Sequence, residues 1–304
     1  MRNVAGLTAL DVAQRVNFIT ATDCAAIMGT SPWKTAMDIY VEKCITLDPL
    51  EPSPAMKWGN LMEPVILLYS QGVLAEHYGE PNLKITRQGT RRRHANGVMS
   101  CTLDGLLKGH KDSIEAKTHA AIHGHVDLSC WGEPWSDAIP DWYRDQVCAQ
   151  MACTPEIDRV WVVLSVGRMV PTFYCLERSN FARRIAEIEN AVCDFWDQHI
   201  VPGIPPAASE PSLEVVRRIN VPIDQAATAQ LPDRLVERRQ RVSSAKNKLV
   251  KIQEGLDAQI RLGMMGTIRA ATPAGHRVSL STSHRKGYSV EAAEVTRMNV
   301  NLAW

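Results

Sequence analysis

The chain has 304 residues, of which 45% are hydrophobic and 22% are charged, so its composition is that of a globular protein and excludes a disordered one. Its 34 Lys and Arg residues nearly balance 33 Asp and Glu residues, and the formal net charge is +1. A nucleic-acid surface would therefore have to be a local patch. No apolar run approaches the roughly 18 residues that a membrane-spanning helix needs, and Met1 to Leu10 lacks the pattern of a secretory signal.

The cysteine pattern also argues against two classes of small, cross-linked protein. None of the eight cysteines forms a C-x-x-C pair, which argues against a zinc ribbon and against a disulfide framework. We expect a reduced, cytoplasmic protein with no membrane partner.

A segment rich in proline and small residues, 201–209, predicts a linker. It would separate a first domain over residues 1–200 from a C-terminal extension over residues 210–304.

Three helices are predicted first along the chain. The first two begin at capping patterns, Thr20 with Asp23 and Thr35 with Asp38, and Ser53-Pro54 begins the third. Pro64 is expected to kink or restart this third helix. Its buried face is predicted from helical spacing to contain Trp58, Met62, Val65 and Leu68.

The pattern then changes to strands. Strands are predicted over 83–88, 97–107, 113–118, 159–166 and 169–177, with helices over 142–153 and from Asn180 onward. This order predicts an α/β (mixed α+β) fold, in which helices flank a mixed central sheet.

The residues that could carry chemistry lie on two of these strands. Glu115 and Lys117 share one face of a strand, and Asp104 ends the strand before it. Two carboxylates at one point suit Mg²⁺, and a neighbouring lysine could orient a water for phosphodiester hydrolysis. The alternative interpretation is structural, because Asp-Gly is a common turn and Glu-x-Lys is often a solvated ion pair.

The order of motifs over most of the first 200 residues resembles the YqaJ-type phage recombinase nucleases and lambda exonuclease, within the PD-(D/E)xK nuclease superfamily. The motifs in this chain are Arg15-Val-Asn-Phe-Ile-Thr-Ala-Thr22-Asp23, Ser31-Pro32-Trp33-Lys34, Trp58-Gly59-Asn-Leu-Met-Glu63-Pro64, Leu103-Asp104-Gly105-Leu106, Glu115-Ala-Lys117, Ile139-Pro140-Asp-Trp-Tyr143 and Gln146-Val-Cys-Ala-Gln150-Met151. Leu103 stands where the superfamily name has a proline, a position that supplies backbone shape and no ligand.

The resemblance implies a catalytic centre. Asp104 and Glu115 would be Mg²⁺ ligands, with the Ala116 carbonyl as a third, and Mn²⁺ would substitute for Mg²⁺. Lys117 would position the attacking water. Glu63 would complete the acidic cluster as a further metal ligand, although it could instead be an ordinary surface residue of a helix.

The resemblance also implies a second helix residue and an end-binding pocket. Gln146 would lie next to the lysine, although an exposed position on an amphipathic helix would be an equally ordinary place for it. Arg15 and Thr22 would hold the 5′ phosphate of a DNA end, because arginine offers a bidentate fork and the start of a helix favours anions. For Arg15 the structural alternative is a surface ion pair, and Trp33 and Trp58 are expected in the core.

Two basic segments lie outside these motifs. The run Arg91-Arg92-Arg93-His94 could contact phosphates along a duplex or be a solvated loop. Further along, Leu235, Val242, Leu249 and Leu256 recur every seven residues in a basic stretch, which predicts a long helix. This helix could follow DNA, pack on another protomer or pack on its own domain, and a β-hairpin is predicted after it over 266–271 and 276–283.

These observations predict a phage-type, Mg²⁺-dependent DNA exonuclease that acts on double-stranded DNA ends. By resemblance it would digest 5′→3′, leave 3′ single strands for a single-strand annealing protein and form a homo-oligomer, a trimer. An endonuclease of the same fold, a catalytically silent DNA-binding recombination scaffold and an iron–sulfur relative are the alternatives; the intact Asp104, Glu115 and Lys117 count against the scaffold, and the cysteine spacing counts against a cluster.

Overall fold

The computed structural model describes residues 14–119, 128–167, 170–207, 209–221 and 228–280. The chain divides into two compact units, the first of which ends at Pro222. Among the described residues, no helix combines the length and apolar character that crossing a membrane requires.

A five-stranded mixed sheet forms the centre of the first unit, in the order β2-β5-β6-β7-β8. Only β6 and β7 are parallel in this sheet, and every other neighbouring pair is antiparallel. Its strands are β2 (Ile85–Arg87), β5 (Gly105–Leu107), β6 (Asp112–His119), β7 (Arg159–Val166) and β8 (Thr172–Glu177). A smaller sheet has the order β1-β4-β3, from β1 (Ile19–Thr20), β3 (Arg92–Arg93) and β4 (Met99–Cys101).

Helices lie on both faces of the central sheet, as the sequence predicts. They are α1 (Ala21–Ile27), α2 (Ala36–Cys44), α3 (Pro54–Tyr78), α4 (Asp141–Cys153), α5 (Arg178–Phe195) and α6 (Leu213–Arg217). A short 3₁₀ helix, Gln14–Asn17, precedes β1, and a π-helical turn, Trp196–Ile200, extends α5. The predicted caps are present, because the backbone N–H groups of Thr20 and Thr35 donate to Asp23 and Asp38 at 3.0 and 2.9 Å.

Two apolar cores hold the layers together. The larger core joins α1, α4 and α5 to the face of β7 that carries Val160, Val162 and Leu164. The smaller core packs α3 on the opposite face, against Ile114 of β6 and Val163 of β7. Side chains alternate along a strand, so the same alternation points Glu115 and Lys117 away from α3 and toward α4.

The predicted buried face of α3 is wrong at three of its four residues. Trp58, Val65 and Leu68 are 55%, 53% and 73% exposed, and only Met62 packs against the smaller core. The helix buries Ile66, Leu67, Ser70 and Leu74 instead. The sheet therefore contacts a different face of α3, which is rotated about the helix axis from the face predicted by the apolar spacing. Pro64 does not restart the helix, which runs unbroken from Pro54 to Tyr78.

The chain after α5 stays on the first unit. Met37 N–H donates to Ser209 Oγ at 3.1 Å, Ser212 N–H donates to Asp38 Oδ1 at 2.6 Å, and Val215 is buried. The segment predicted as a linker over 201–209 therefore runs beside α2, and the first unit continues beyond it.

The second unit contains one long helix and a hairpin, as the sequence predicts. Helix α7 spans Asp233–Gly263, and β9 (Arg269–Ala271) pairs with β10 (Arg277–Ser279) in antiparallel fashion.

Candidate active site

A break in a predicted strand places the first carboxylate. The sequence predicts one strand over 97–107, whereas the structure has β4 and β5 with a bend at Asp104 between them. Asp104 Oδ2 accepts a hydrogen bond from Ala116 N–H at 2.8 Å, which ties the bend to the middle of β6. The two strands that carry the predicted acidic residues thus meet at Asp104.

Strand β6 supplies the second carboxylate and the lysine. Lys117 Nζ donates to Glu115 Oε1 at 2.6 Å and to Gln146 Oε1 of α4 at 3.0 Å. Gln146 Nε2 also donates to Glu115 Oε1 at 2.6 Å, so lysine, glutamate and glutamine form a closed triangle of hydrogen bonds. Glu115 is only 4% exposed, and the ion pair therefore lies where solvent screens it poorly.

Two further residues of α4 complete the surroundings of this triangle. Gln150 Nε2 donates to Glu115 Oε2 at 2.6 Å, so both oxygens of the glutamate are held by α4. The Lys117 ammonium lies over the Tyr143 ring, 4.7 Å from its centroid. Sequence reasoning assigned no role to Gln150 or Tyr143, although spacings of four and three residues from Gln146 place both on its side of the helix.

The position of α4 is itself fixed by a buried carboxylate. Asp145 is fully buried and accepts hydrogen bonds from Arg184 Nε and Nη2 of α5, both at 2.8 Å. Thr30, after α1, donates to Asp145 Oδ2 at 2.7 Å. The residue next to Gln146 therefore anchors α4 to two neighbouring segments, which limits the movement of the glutamines.

Negative charge is in excess around Asp104. Burial raises the pKa of this carboxyl well above its usual range, and the nearby charges of Glu115 and Glu63 raise it further. Lys117 and the Ala116 N–H act in the opposite direction but do not compensate. An additional positive charge beside Asp104 would stabilise its ionised form.

The surroundings of Lys117 favour its charged form, whereas those of Asp104 oppose its charged form. Burial alone would lower its pKa, but the charges of Glu115 and Asp104 outweigh burial and raise the pKa above its ordinary value. The side chain is therefore an ammonium at neutral pH, able to donate hydrogen bonds and to offset negative charge. It is not suited to accept a proton.

Glu63 lies near the site but is engaged elsewhere. Its Oε1 accepts from Arg87 Nε of β2 at 2.8 Å. Within the part of the chain that the structure describes, no three His, Cys, Asp or Glu side chains are grouped so that they could hold a metal ion. The structure thus brings together Asp104, Glu115, Lys117 and Gln146, with Glu63 close enough to influence Asp104 only by its charge.

The residues predicted to hold a DNA end lie in neighbouring elements. Thr22 is exposed in the first turn of α1. Arg15 belongs to the 3₁₀ helix just before β1, and its side chain lies outside the described residues.

The basic run contacts the segment between Arg15 and Thr22. The guanidinium groups of Arg91 and Arg93 lie over the Phe18 ring, 5.7 and 4.3 Å from its centroid. Arg92 pairs with Glu156, and His94 Nε2 lies 3.1 Å from Glu189. The run therefore includes a short strand, Arg92–Arg93, whose side chains contact the protein, although Arg93 stays exposed.

Trp33 is not a core residue, contrary to expectation. It is 64% exposed, and its ring contacts Trp142 and Tyr143 at centroid distances of 5.7 and 6.1 Å. The rings of Trp33 and Tyr143 are therefore in contact, and the Lys117 ammonium lies over the Tyr143 ring.

The fold and the site define a class of protein. A mixed sheet brings two carboxylates, Asp104 and Glu115, close to a fixed ammonium, Lys117, in a chain of mixed α/β architecture. Oxygen donors of this kind suit a hard divalent cation, and an ammonium beside them suits reactions that develop negative charge on phosphate.

Sequence comparisons relate part of this chain to a viral recombinase domain. Residues 12–156 match the model of the YqaJ-like viral recombinase domain. The uncharacterized protein YqaJ of Bacillus subtilis (strain 168) is 24% identical over 197 residues, which are 64% of this chain and 57% of that protein. The chain thus spans little more than half the length of that relative.

The solved structures to which this chain shows some similarity include two exonucleases. An alkaline exonuclease from Laribacter hongkongensis, LHK-Exo, is 22% identical, with 63% of this chain and 92% of that chain covered and a TM-score of 0.45. Its complex with dAMP gives a TM-score of 0.47 at the same identity and coverage. A phage-related exonuclease from Haemophilus somnus 129PT is 15% identical over 61% of this chain and 96% of that chain, with a TM-score of 0.44.

Proposed function

We propose that this protein is a metal-dependent deoxyribonuclease that acts as an exonuclease on linear double-stranded DNA. The observation that carries the proposal is the single hydrogen-bonded network of Lys117, Glu115 and Gln146 beside Asp104. The match of residues 12–156 to the model of the YqaJ-like viral recombinase domain supports DNA as the substrate.

The two carboxylates fit a divalent cation. Asp104 and Glu115 would hold Mg²⁺, or Mn²⁺ in its place, with the Ala116 carbonyl as a third oxygen donor. Glu63 would join them only if it moved away from Arg87, with which its Oε1 pairs. The excess negative charge around Asp104 supports this assignment, as does Gln150 Oε1, a buried acceptor with no donor among the described residues. When bound, the cation would polarise the scissile phosphate and offset its charge.

Lys117 is proposed to act on the transition state. Hydrogen bonds to Glu115 and Gln146 use two of its three N–H groups and hold the ammonium in one place. From that place it would orient the attacking water and stabilise charge that develops on the phosphate oxygens. Gln146 and Gln150 would fix the orientation of Glu115, so that no reorganisation is needed during the reaction.

DNA ends would be recognised beside the catalytic network. Arg15 and Thr22 would bind a terminal 5′ phosphate, which gives 5′→3′ digestion. The basic strand that packs on Phe18, between these two residues, supports an anion-binding role for this part of the surface. Digestion from the 5′ end would leave 3′ single strands.

The biological setting is proposed from the same match. A viral recombinase domain supports DNA recombination of phage type in the cytoplasm of a bacterial host, with a single-strand annealing protein as partner. We further propose that the protein acts as a homo-oligomer, a trimer.

The experiment that separates the proposal from its alternatives compares linear and covalently closed circular duplex DNA, each with Mg²⁺ and with EDTA. We expect loss of the linear DNA with Mg²⁺ only, and intact circles in every lane. Nicking of closed circles would favour the endonuclease, and no cleavage of either substrate would favour the silent scaffold.

End recognition is tested on linear duplexes that carry a 5′ phosphate or a 5′ hydroxyl. A charge-assisted contact contributes about 1.5–3 kcal/mol, so the phosphorylated end should be degraded roughly tenfold or more faster. Arg15→Ala should remove most of this preference, whereas Arg183→Ala, at an exposed arginine of α5, should keep it. A full preference in Arg15→Ala would exclude Arg15 from the pocket.

A further inference from the structure

The Tyr143 ring is a third contact of the Lys117 ammonium. Lys117 Nζ donates to Glu115 Oε1 at 2.6 Å and to Gln146 Oε1 at 3.0 Å, and it lies 4.7 Å from the centroid of the Tyr143 ring. Tyr143 and Gln146 are three residues apart on α4, so one side of this helix supplies two of the three contacts. The ammonium is therefore held by its own strand and, from the helix, by an amide and an aromatic face.

The plane of the Tyr143 ring is fixed by other aromatic rings. Its ring neighbours, at centroid distances of 6.1, 5.6 and 5.7 Å, are Trp33, Trp131 and Trp142. Trp131 in turn packs on Tyr174 of β8, with the ring centroids 4.9 Å apart. Because interiors are close-packed, Tyr143 would have to displace these rings in order to turn away from Lys117.

An aromatic face attracts an ammonium without neutralising it. The ring is negative over its face but carries no net charge. A third carboxylate in the place of Tyr143 would add to the negative charge that is already in excess around Asp104. The ring therefore stabilises the position of the Lys117 ammonium and leaves its charge available to a phosphate.

The nature of lysine makes a contact from the helix useful. Its ammonium ends a flexible four-carbon stem, whereas a group that stabilises a transition state has to be in place before the charge develops. Under the proposed function, Glu115 is shared between Lys117 and a cation. A contact that involves no metal ligand then keeps the ammonium where it is.

We propose that Tyr143 is a positioning residue for hydrolysis, and that its ring, not its hydroxyl, holds the Lys117 ammonium beside the reacting phosphate. This inference rests on the proposed function, because it assigns the ring a role in the same reaction. It is contradicted if the tyrosine has a purely structural role, or if it contacts the DNA itself.

The first test separates the ring from the hydroxyl in single-turnover cleavage of a linear duplex with Mg²⁺. Tyr143→Leu removes the ring and should lower the rate about tenfold, while the duplex affinity stays within about twofold. Tyr143→Phe keeps the ring and should recover most of that loss. Equal losses in the two variants would assign the effect to the hydroxyl, and a loss of affinity that accounts for the lost rate would assign it to DNA contact. Either result would overturn the inference.

A matched control accounts for packing. Tyr40 of α2 is another partly buried tyrosine that packs against the larger core, and its hydroxyl donates to the Gly203 carbonyl at 2.7 Å. Tyr40→Leu should keep the rate within about twofold of the wild type even where thermal unfolding shows a similar loss of stability. A rate loss equal to that of Tyr143→Leu would leave Tyr143 with a structural role only.

A double variant tests whether Tyr143 acts through Lys117. Adding Tyr143→Leu to Lys117→Ala should change the remaining rate by less than about twofold, because the ammonium that the ring would hold is gone. A further tenfold loss, about as large as in the wild-type background, would mean that the ring acts on another group and would contradict the inference.

The contact can also be measured without turnover. In protein with ¹³C-labelled lysine, the ε-methylene protons of Lys117, identified by their absence in Lys117→Ala, should be shifted upfield by the Tyr143 ring. Tyr143→Phe should keep this shift and Tyr143→Leu should abolish it; a signal that Tyr143→Leu leaves in place would overturn the inference. An active wild type with an equally active Tyr143→Leu would overturn the inference alone, whereas a wild type that cleaves no duplex would overturn the proposed function and the inference with it.

Discussion

Lys117 Nζ lies 2.6 Å from Glu115 Oε1, two residues earlier on the same strand. A lysine and a glutamate two positions apart on an exposed strand would form a screened ion pair of little energetic value. Here Gln146 contacts both partners and the glutamate is 4% exposed. The pair is therefore a fixed, poorly screened feature of the protein interior.

The first prediction concerns the lysine. Lys117→Ala should lower kcat about 10²–10³-fold and leave the affinity for a linear duplex within a few-fold, because the ammonium acts on charge that appears in the transition state. Single-turnover rates and duplex binding, measured separately, give the two values.

Lys111→Ala is the matched control for Lys117. Lys111 immediately precedes the same strand, its side chain is 71% exposed, and its ammonium pairs with Asp158 at 3.4 Å. The control should keep the wild-type rate. A loss of duplex affinity that accounts for the whole rate loss in Lys117→Ala would make Lys117 a simple phosphate contact.

The second prediction concerns metal binding without reference to activity. Asp104→Asn keeps an acceptor for the Ala116 N–H but removes a buried negative charge from beside Glu115 and Glu63. Without divalent cations this variant should be at least as thermally stable as the wild type. Mg²⁺ should raise the Tm of the wild type and leave that of Asp104→Asn almost unchanged. Equal Mg²⁺ shifts in both proteins would place the cation elsewhere.

The third prediction concerns the two glutamines that hold Glu115. Gln146→Ala and Gln150→Ala each remove one donor to the carboxylate and should each slow hydrolysis by roughly tenfold. Both act through the same side chain, so the double variant should lose clearly less than the product of the single losses. A strictly multiplicative result would mean that the glutamines act independently of each other.

The fourth prediction concerns the anchor of α4. Asp145→Ala leaves Arg184 without its buried partner and should lower the free energy of unfolding by about 3–5 kcal/mol, as removal of one partner of a buried pair does. Glu187→Gln removes the exposed partner of the same arginine and should change stability little. Urea unfolding of the two variants makes the comparison. Equal losses in the free energy of unfolding would show that the buried Asp145 contact contributes no more than the exposed Glu187 contact.

Much of the site could be predicted because its chemistry lies in short motifs. Asp104 lies at the bend just before β5, and Glu115 and Lys117 lie on the neighbouring β6, where strand periodicity alone places them on one face. Gln150 received no role, because a buried amide that orients a carboxylate has no sequence signature apart from its helical spacing. Asp145 was missed for the same reason, since its partner Arg184 lies 39 residues away.

The errors in the fold have a common physical origin. The face of α3 was assigned from apolar spacing, yet the sheet buries Ile66, Leu67 and Leu74 and leaves Trp58 exposed. Trp33 was likewise expected inside and lies on the surface. Which apolar residues are buried depends on the neighbouring layer, and a single sequence does not encode that layer locally.

The most direct test of the central claim is the release of nucleotides from a linear, 5′-phosphorylated duplex by the wild type and by Glu115→Gln. Glutamine keeps the size of the side chain and one oxygen, but loses the charge that pairs with Lys117 and would hold the cation. We predict steady release by the wild type with Mg²⁺, none with EDTA, and with Mg²⁺ a rate at least about 10²-fold lower for Glu115→Gln. Release by Glu115→Gln at the wild-type rate, or release by the wild type in EDTA, would contradict the account.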